Sequence, residues 1–335
     1  MMHLALGNVH RSMTAIALQC AVDSEGLGPY LWRRERYDFT RPLAAVSRLE
    51  AVSGGILSMA LREEGQLLLS GLMTISPCVV SGYWWAKVDL PGEMRDSAAL
   101  RIARHIAWNR CGGAPQFFHA WLERHGGGPA HADDVRECLE AFVASESVGT
   151  PDSPASAAHL EGFVAEHIWD LLILEDALGF GKPIRVDGPD WSVTDSGGDG
   201  LAIHRSAQDL AFRLWESKAH TGSGDVRDVV NKACRQIESN ALRYLARFSK
   251  VGQSVDDPDL RLFYAELPER WRNMDRAAGG GVSVATHSST TEDCFDGFPR
   301  YWGFTCDDQR QGLVITIENF SDFSEMVRRQ LWKGL

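Results

Sequence analysis

The sequence has no pair of cysteines with C-x-x-C spacing, although seven cysteines are present, at positions 20, 78, 111, 138, 234, 294 and 306. This lack excludes the usual zinc-ribbon signature. We therefore expect each cysteine to be a small, buried apolar residue. The odd number of cysteines and the lack of a secretory leader predict that the protein resides in the reducing cytoplasm.

Long hydrophobic runs and an excess of positive charge are also lacking. No stretch approaches about 18 uninterrupted apolar residues, so we expect no membrane-spanning segment. The net charge is −11 at pH 7, and the surface as a whole should not attract nucleic acid or an anionic membrane. Any phosphate-binding face must therefore be a local basic patch. With 335 residues, 44% hydrophobic and 24% charged, the chain can form two domains or one large one.

Four catalytic motifs are present only in part, and each gap excludes a class of enzyme. The serine-protease-like segment Asp195–Gly198 has no matching His-Cys segment upstream. The esterase-like segment His125–Gly128 has no accompanying G-x-S-x-G. The segment Gly179–Lys182 lacks the spacing of a nucleotide-binding P-loop, and no P-C-x-x-C follows the deaminase-like His159–Glu161.

The first half of the chain divides into a strand-rich part and a helical part. Residues 1 to about 90 read mostly as strands and turns, with a hairpin predicted from Gly55–Leu61 and Gln66–Leu72. Apolar periodicity then predicts helices at 97–110, 115–125 and 133–145. The Ser-, Pro- and Ala-rich segment 145–158 predicts a domain boundary. We thus expect an N-terminal α+β domain of unknown role (residues 1–150) and a second domain (residues 151–335).

The second half has a more regular order of elements. Helices are predicted at 159–178, from Ser223 or Asp225 to about 248, and at 322–332. Strands are predicted at 184–193, 200–204, 210–216, 260–267 and 281–286, and a hairpin at 301–306 and 312–318. This order of helix, three strands, helix and strand predicts an α/β (α+β) fold with a buried mixed sheet flanked by helices.

The stretch Gly197–His220 contains the strongest candidate site. Glu216 and Lys218 lie two residues apart on one strand and therefore point to the same face. If this strand pairs antiparallel with the preceding one, Asp199 lies beside Glu216. Two carboxylates and a lysine at one sheet edge can hold a hard divalent cation and activate a water.

The pattern of Asp199, 16 intervening residues, then Glu216-x-Lys218 resembles the PD-(D/E)xK nuclease superfamily, which has the restriction-endonuclease-like fold. The resemblance implies an αβββαβ core from about residue 159 to 290. It also implies that Asp199 and Glu216 bind Mg²⁺ or Mn²⁺, and that Lys218 orients or polarises the attacking water. The alternative is a solvated, charged strand end that follows a glycine turn.

Many members of the superfamily add a glutamate from the first helix. The spacing Gly162-x-x-x-Glu166 matches helices of the family and favours Glu166 as a catalytic residue and metal ligand. Helical phase, at about 100° per residue, instead favours Glu161, and both could simply be exposed charges. Gln236, on the next helix, is a weaker candidate.

A basic cluster on that same helix could contact nucleic-acid phosphates. The alternative is a solvated face that Asp228 and Glu238 partly neutralise. The cluster consists of Lys232, Arg235, Arg243, Arg247 and Lys250.

The motifs GGDGLAIH and FRLWESKAH resemble more narrowly the C-terminal domain of the nuclease subunit family of the Hachiman antiphage system. This resemblance covers roughly residues 155–320 and implies a DNA-cleaving effector in antiviral defence, with a helicase (ATPase) partner. Two alternatives stay open. One is a catalytically inactive module of nuclease fold that binds nucleic acid or a partner protein, and the other is a metal-dependent hydrolase of a smaller phosphate ester.

Overall fold

A seven-stranded mixed sheet lies at the centre of the structure. The computed structural model describes residues 68–111, 114–189, 198–205, 209–287 and 292–335, all within one compact unit that spans residues 45–335. The strands are β1 (Thr74–Val80), β2 (Tyr83–Asp89), β3 (Gly149–Thr150), β4 (Ser153–Pro154), β5 (Pro183–Asp187), β6 (Gly200–Arg205), β7 (Leu210–His220), β8 (Gly280–Thr286) and β9 (Arg310–Thr316). The helices are α1 (Arg95–Arg110), α2 (Pro115–His125), α3 (Asp133–Val143), α4 (Ala157–Leu174), α5 (Val226–Gly252), α6 (Pro258–Arg272), α7 (Phe298–Tyr301) and α8 (Phe320–Lys333).

The order of strands in the large sheet is β1-β2-β9-β8-β7-β6-β5. Its four central strands, β2, β9, β8 and β7, are mutually parallel, whereas β1, β6 and β5 are antiparallel to their neighbours. Strands β3 and β4 form a separate two-stranded ladder. The fold is therefore of the mixed α/β (α+β) class that the order of elements predicted.

Helices cover both faces of the sheet, so the central strands are buried on both sides. Helices α1, α2, α3, α4 and α8 supply most of the apolar core on one face, where Trp215 and Leu313 point. Helices α5 and α6 cover the other face, together with Leu214 and Val314. Neighbouring residues of one strand thus belong to opposite cores, because side chains alternate along a strand.

The predicted strand at 260–267 is wrong, because these residues lie in helix α6. The Asp257 side chain accepts hydrogen bonds from the backbone N–H groups of Asp259 and Leu260, at 2.9 and 3.2 Å, and Pro258 occupies the first helical turn. Both features favour the start of a helix. The buried residues then follow a helical stripe: Leu260, Phe263, Tyr264, Leu267 and Trp271.

The predicted hairpin of 301–306 and 312–318 is also wrong, because only its second half forms a strand. That strand, β9, lies between β2 and β8 and is parallel to both. The first half leaves α7 with Trp302 and Phe304 buried in the core. The Arg310 guanidinium donates to the carbonyl oxygens of both residues, which satisfies backbone groups that a strand ladder would otherwise pair.

The other predicted elements from residue 97 onward are confirmed, with ends that differ by a few residues. The predicted strand at 184–193 ends earlier, at Asp187, and residues 190–193 lie outside the described part. The hairpin from Gly55–Leu61 and Gln66–Leu72 lies mostly outside it, but Leu69–Leu72 form a turn of 3₁₀ helix rather than strand.

The sheet includes strands from both sides of residue 150. Strands β1 and β2 extend it from β9, and helix α1 packs against α4 and α8. The segment 145–158 contains the small β3–β4 ladder and leads directly into α4. The segment in which composition predicted a domain boundary therefore connects two parts of one sheet and its helices.

Four of the described cysteines are buried, as predicted: Cys111, Cys138, Cys234 and Cys294. Cys78 and Cys306 are half-buried instead, and Cys20 lies outside the described residues. In the part of the chain that the structure covers, no helix has the length and apolar character needed to cross a membrane.

Candidate active site

The antiparallel pairing of β6 and β7 brings Asp199 beside Glu216. Gly200 pairs with Trp215, and the Asp199 backbone N–H donates to the Trp215 carbonyl oxygen at 3.0 Å. Asp199 is thus one step beyond the last ladder pair, opposite Glu216. Opposed residues of an antiparallel pair have Cβ atoms about 4.5–5.5 Å apart. The register therefore places Asp199 and Glu216 opposite each other, as the predicted hairpin requires, and the charge of Asp199 raises the pKa of Glu216.

The Asp199 carboxylate also takes the place of a missing ladder partner. The ladder with β6 ends at Trp215, while β7 continues to His220. The Ser217 backbone N–H donates to Asp199 Oδ2 at 2.5 Å. This bond orients the Asp199 side chain across the end of β6, toward the continuing part of β7.

Glu216 and Lys218 project from the same face of β7 and form an ion pair between Oε1 and Nζ. The Glu216 side chain is 0% exposed, whereas that of Lys218 is 28% exposed. The second oxygen of Glu216, Oε2, is buried and has no hydrogen-bond partner in the described structure. Because an unpaired buried carboxylate oxygen is costly, Glu216 is suited to a further cation or a proton.

Helix α4 adds Glu166 from the neighbouring layer, through very close packing on β6. Three residues after Glu166, Trp169 lies against Gly200 and packs on Trp215 with ring centroids 5.7 Å apart. A Cβ atom at Gly200 would lie 2.1 Å from Trp169 Cη2. Glycine at position 200 therefore allows α4 to approach the start of β6, next to Asp199.

The charges of Glu166, Asp199, Glu216 and Lys218, here called the carboxylate cluster, perturb one another. Burial raises the pKa of Glu166 well above its usual range, and the charge of Asp199 raises this pKa further. Burial, followed by the charge of Asp199, raises the pKa of Glu216 to about 8, although Lys218 opposes the change. Burial also raises the pKa of Asp199 to about 6, against the lowering effects of Lys218 and the Ser217 N–H.

Lys218 is the one cation within the carboxylate cluster. Burial lowers its pKa, but the charges of Glu216, Asp199 and Glu166 outweigh burial, so the pKa is raised. Three carboxylates therefore share a single ammonium. Such a cluster can reach neutrality by binding protons or by binding another cation.

The donor atoms of the cluster suit Mg²⁺ or Mn²⁺, which prefer carboxylate oxygens. The three carboxylates are nonetheless not drawn together around one point. Among the described residues, the group of three whose ligand atoms all lie within 4.8 Å of one another is a different one. A shared ion thus requires rotation of at least one side chain, such as a turn of Glu216 away from Lys218.

Glu161 lies outside the carboxylate cluster, because other partners occupy both of its carboxylate oxygens. Oε1 accepts a hydrogen bond from Ser321 Oγ, and Oε2 accepts one from Thr221 Oγ1 at 3.0 Å. These bonds connect α4 with the end of β7 and the start of α8. Of the two candidate glutamates, it is Glu166 whose charge interacts with Asp199, Lys218 and Glu216.

Gln236 also remains apart from the cluster. It is half-buried on α5, and its backbone carbonyl accepts from Asn240 Nδ2 at 2.9 Å. Within the described residues, no hydrogen bond joins its side chain to the carboxylate cluster.

Two neighbours of the cluster were not predicted. The Arg110 guanidinium, from α1, lies 5.1 Å from the Phe163 ring centroid and lowers the pKa of Glu166. The Tyr244 hydroxyl is buried without a hydrogen-bond partner in the described structure, and its ring lies close to Gly198. No local spacing signals Arg110, because it comes from a distant helix. Tyr244 belongs to the apolar stripe of α5, so its position in the sequence indicates a residue of the hydrophobic core.

Comparison with protein-family models and with curated proteins found no match to this chain.

Proposed function

We propose that this protein is a metal-dependent nuclease that hydrolyses DNA phosphodiester bonds. The observation that carries the proposal is that Glu166, Asp199, Glu216 and Lys218 interact electrostatically with one another where the β6–β7 ladder ends. In the proposed site the three carboxylates hold Mg²⁺ or Mn²⁺. Such a cation would lower the pKa of a bound water and neutralise charge that develops on the phosphate.

The unpartnered buried oxygen of Glu216 favours a cation rather than a purely structural role. Glu216 is completely buried with one oxygen unpartnered in the described structure. Its pKa is raised to about 8 by burial and by Asp199. Buried charges in proteins are usually paired or coordinate metals.

The raised pKa of Lys218 favours an orienting role over that of a base. Because the neighbouring carboxylates hold Lys218 in its ammonium form, Lys218 donates hydrogen bonds at neutral pH and does not accept protons. An ammonium in this position would orient the attacking water or stabilise a phosphoryl oxygen.

DNA as the substrate, and a role as the effector of an antiphage defence system, rest on the resemblance of the two motifs around Asp199 and Glu216. The proposed cytoplasmic location rests on the odd number of cysteines. The basic residues predicted on α5 are exposed, which is compatible with contact to phosphates. Asp228 and Glu238 are exposed on the same helix. A helicase or ATPase subunit remains the proposed partner.

The test is plasmid cleavage by the purified full-length protein with Mg²⁺ or Mn²⁺. We expect Lys218→Ala to lower the cleavage rate about 10²- to 10⁴-fold, the usual range for a group that assists proton movement or charge stabilisation. The exposed Lys182→Ala provides a matched control and should cleave like the wild type. Equal cleavage by wild type and Lys218→Ala would exclude this site assignment.

A second candidate function is a catalytically inactive module of nuclease fold that binds nucleic acid or a partner protein. The observation in its favour is that Lys218 already neutralises one oxygen of Glu216, while the carboxylates are not gathered around one point. Titration with Mn²⁺ distinguishes the two. A nuclease site should bind Mn²⁺ and lose this binding in Asp199→Asn, whereas the inactive module should not bind it.

A further inference from the structure

A second buried polar cluster lies on another side of helix α4, between α4 and α1. His105 comes from α1, and His167 and Asp170 come from α4; their exposed fractions are 6%, 1% and 3%. One ligand atom from each of these residues lies within 4.8 Å of the other two. We call these three residues the histidine cluster.

One member of the histidine cluster lacks the partners that a buried imidazole needs. Both ring nitrogens of His167 are buried without a hydrogen-bond partner in the described structure. By contrast, His105 Nε2 lies 2.7 Å from Asp170 Oδ2. Buried polar groups are nearly always satisfied, and each exception requires an explanation such as an ion. The geometry therefore leaves His167 available as a ligand.

The donor set and its spacing suit one transition-metal ion. Two imidazoles and a carboxylate are common ligands of Zn²⁺, which prefers tetrahedral coordination at about 2.0–2.2 Å. Two ligands of such an ion are roughly 3.3 Å apart. The contact between His105 and Asp170 would thus lengthen by about 0.6 Å. On the exposed side, Asn109 Nδ2 lies 3.0 Å from His105 Nε2, so a water or the Asn109 amide oxygen could complete the coordination.

We propose that His105, His167 and Asp170 bind a Zn²⁺ ion that fastens α1 to α4. The ion satisfies His167 and balances the charge of Asp170. His167 directly follows Glu166, so the same ion fixes the part of α4 from which Glu166 reaches the carboxylate cluster. This site is independent of the proposed nuclease function, because it uses other residues and another ligand chemistry.

The test uses the full-length protein, stripped of metal and then titrated with Zn²⁺ or Co²⁺. We expect one equivalent of tightly bound Zn²⁺ and, with Co²⁺, the visible absorption of a tetrahedral site. Loss of a residue that merely supports a ligand costs about 10- to 100-fold in affinity. We therefore expect the ligand substitutions Asp170→Asn and His167→Gln to weaken binding at least about 100-fold.

Two control variants separate this site from its surroundings. His159→Gln removes an exposed histidine at the start of α4 and should leave Zn²⁺ affinity unchanged. Glu216→Gln alters the carboxylate cluster and should also leave one equivalent of Zn²⁺ bound. If Zn²⁺ affinity falls in Glu216→Gln but not in His167→Gln, or if the wild type binds no Zn²⁺, the proposal is wrong.

A measurement on the wild type alone covers the case in which the buried variants fail to fold. X-ray absorption of the Zn²⁺-loaded protein distinguishes imidazole ligands, through their multiple scattering, from a site made only of oxygens. Two imidazoles per zinc are expected. A spectrum without imidazole would overturn the assignment.

Discussion

Two polar clusters share helix α4 and differ in how their charge is balanced. The carboxylate cluster has three acids for one lysine, whereas the histidine cluster has two imidazoles for one acid. Hard oxygen donors favour Mg²⁺ or Mn²⁺, and imidazoles favour Zn²⁺. Glu166 and His167 are neighbours on one helix and thus belong to clusters whose donor atoms suit different metals.

The clusters also differ in what assembles them. The carboxylate cluster depends on the register of two strands, in which Gly200 pairs with Trp215. The histidine cluster depends on the packing of two helices, α1 and α4. A strand register fixes the positions of opposed residues over a short stretch of chain, whereas helix packing joins residues that are distant in sequence. A site that depends on strand register can therefore be recognised from a short stretch of sequence, whereas a site that depends on helix packing cannot.

The largest expected effect is on plasmid cleavage, which should fall far more when Glu166 of α4 is replaced than when Glu161 is. Glu166→Gln removes one of three proposed metal ligands, so we expect plasmid cleavage to fall about 10²- to 10³-fold. Glu161→Gln should change cleavage less than about 3-fold, because its oxygens contact Ser321 and Thr221. It should lower the free energy of unfolding by about 1 kcal/mol, the contribution of one hydrogen bond.

Asp170→Asn extends this test to the histidine cluster. Metal-free protein supplied with Mg²⁺ alone should show a smaller loss of cleavage for Asp170→Asn than for Glu166→Gln.

If Glu161→Gln lowered cleavage more than Glu166→Gln, Glu166 would not be the residue that completes the carboxylate cluster.

The next effect is a contribution of Glu216, within the carboxylate cluster, to the dependence of stability on pH. In the folded protein, burial and then Asp199 raise the pKa of Glu216 from 4.5 to about 8. The folded state therefore binds this proton more tightly than the unfolded state. Its stabilising contribution is complete below about pH 4.5 and is lost as pH rises through about 8. At about 1.4 kcal/mol per pKa unit, the expected loss between pH 5 and pH 8 is on the order of 3 kcal/mol.

Denaturant unfolding in the presence of a chelator measures this loss. Glu216→Gln carries no titrating proton at this position and should have a shallower decline with pH than the wild type. Glu146→Gln, at an exposed position, should decline like the wild type. Identical pH profiles for Glu216→Gln and wild type would show that Glu216 is not held in its protonated form in the folded protein.

The sequence was most informative where local spacing determines structure. Asp199, Glu216 and Lys218 follow from strand alternation and an antiparallel hairpin, both of which the structure contains. The choice of Glu166 over Glu161 could not come from helical phase, because the more buried residue, Glu161, bonds to other partners, whereas half-buried Glu166 interacts with the cluster. Those partners, Thr221 and Ser321 in the case of Glu161, come from distant elements.

Residues 260–267 were predicted as a strand because short apolar runs fit a strand and a buried helix equally well. Asp257 and Pro258, an N-cap followed by a first-turn proline, were the signals that favour a helix. The histidine cluster had only the spacing His167-x-x-Asp170 to suggest it. Its third residue, His105, joins through the packing of α1 on α4, which no local pattern specifies.

The last prediction tests, with two glycine substitutions, whether the carboxylate cluster can be disturbed without changing the histidine cluster. Gly200→Ala would place a Cβ atom 2.1 Å from Trp169 Cη2, and overpacking of this kind costs typically 1–3 kcal/mol. Trp169 and Glu166 share one face of α4, so a displaced Trp169 moves Glu166 away from Asp199. We expect the free energy of unfolding to fall by about 2 kcal/mol and Mn²⁺ affinity to fall with it.

Gly162→Ala is the matched control on α4, because a Cβ atom there would meet nothing within 4 Å. It should raise the free energy of unfolding by about 0.5–1 kcal/mol, the usual gain from alanine within a helix, and leave Mn²⁺ affinity unchanged. Zn²⁺ affinity should stay within a few-fold of wild type in both variants, because neither glycine contacts the histidine cluster. A parallel loss of Zn²⁺ and Mn²⁺ affinity in Gly200→Ala would instead mean that α4 carries the two clusters as one rigid unit.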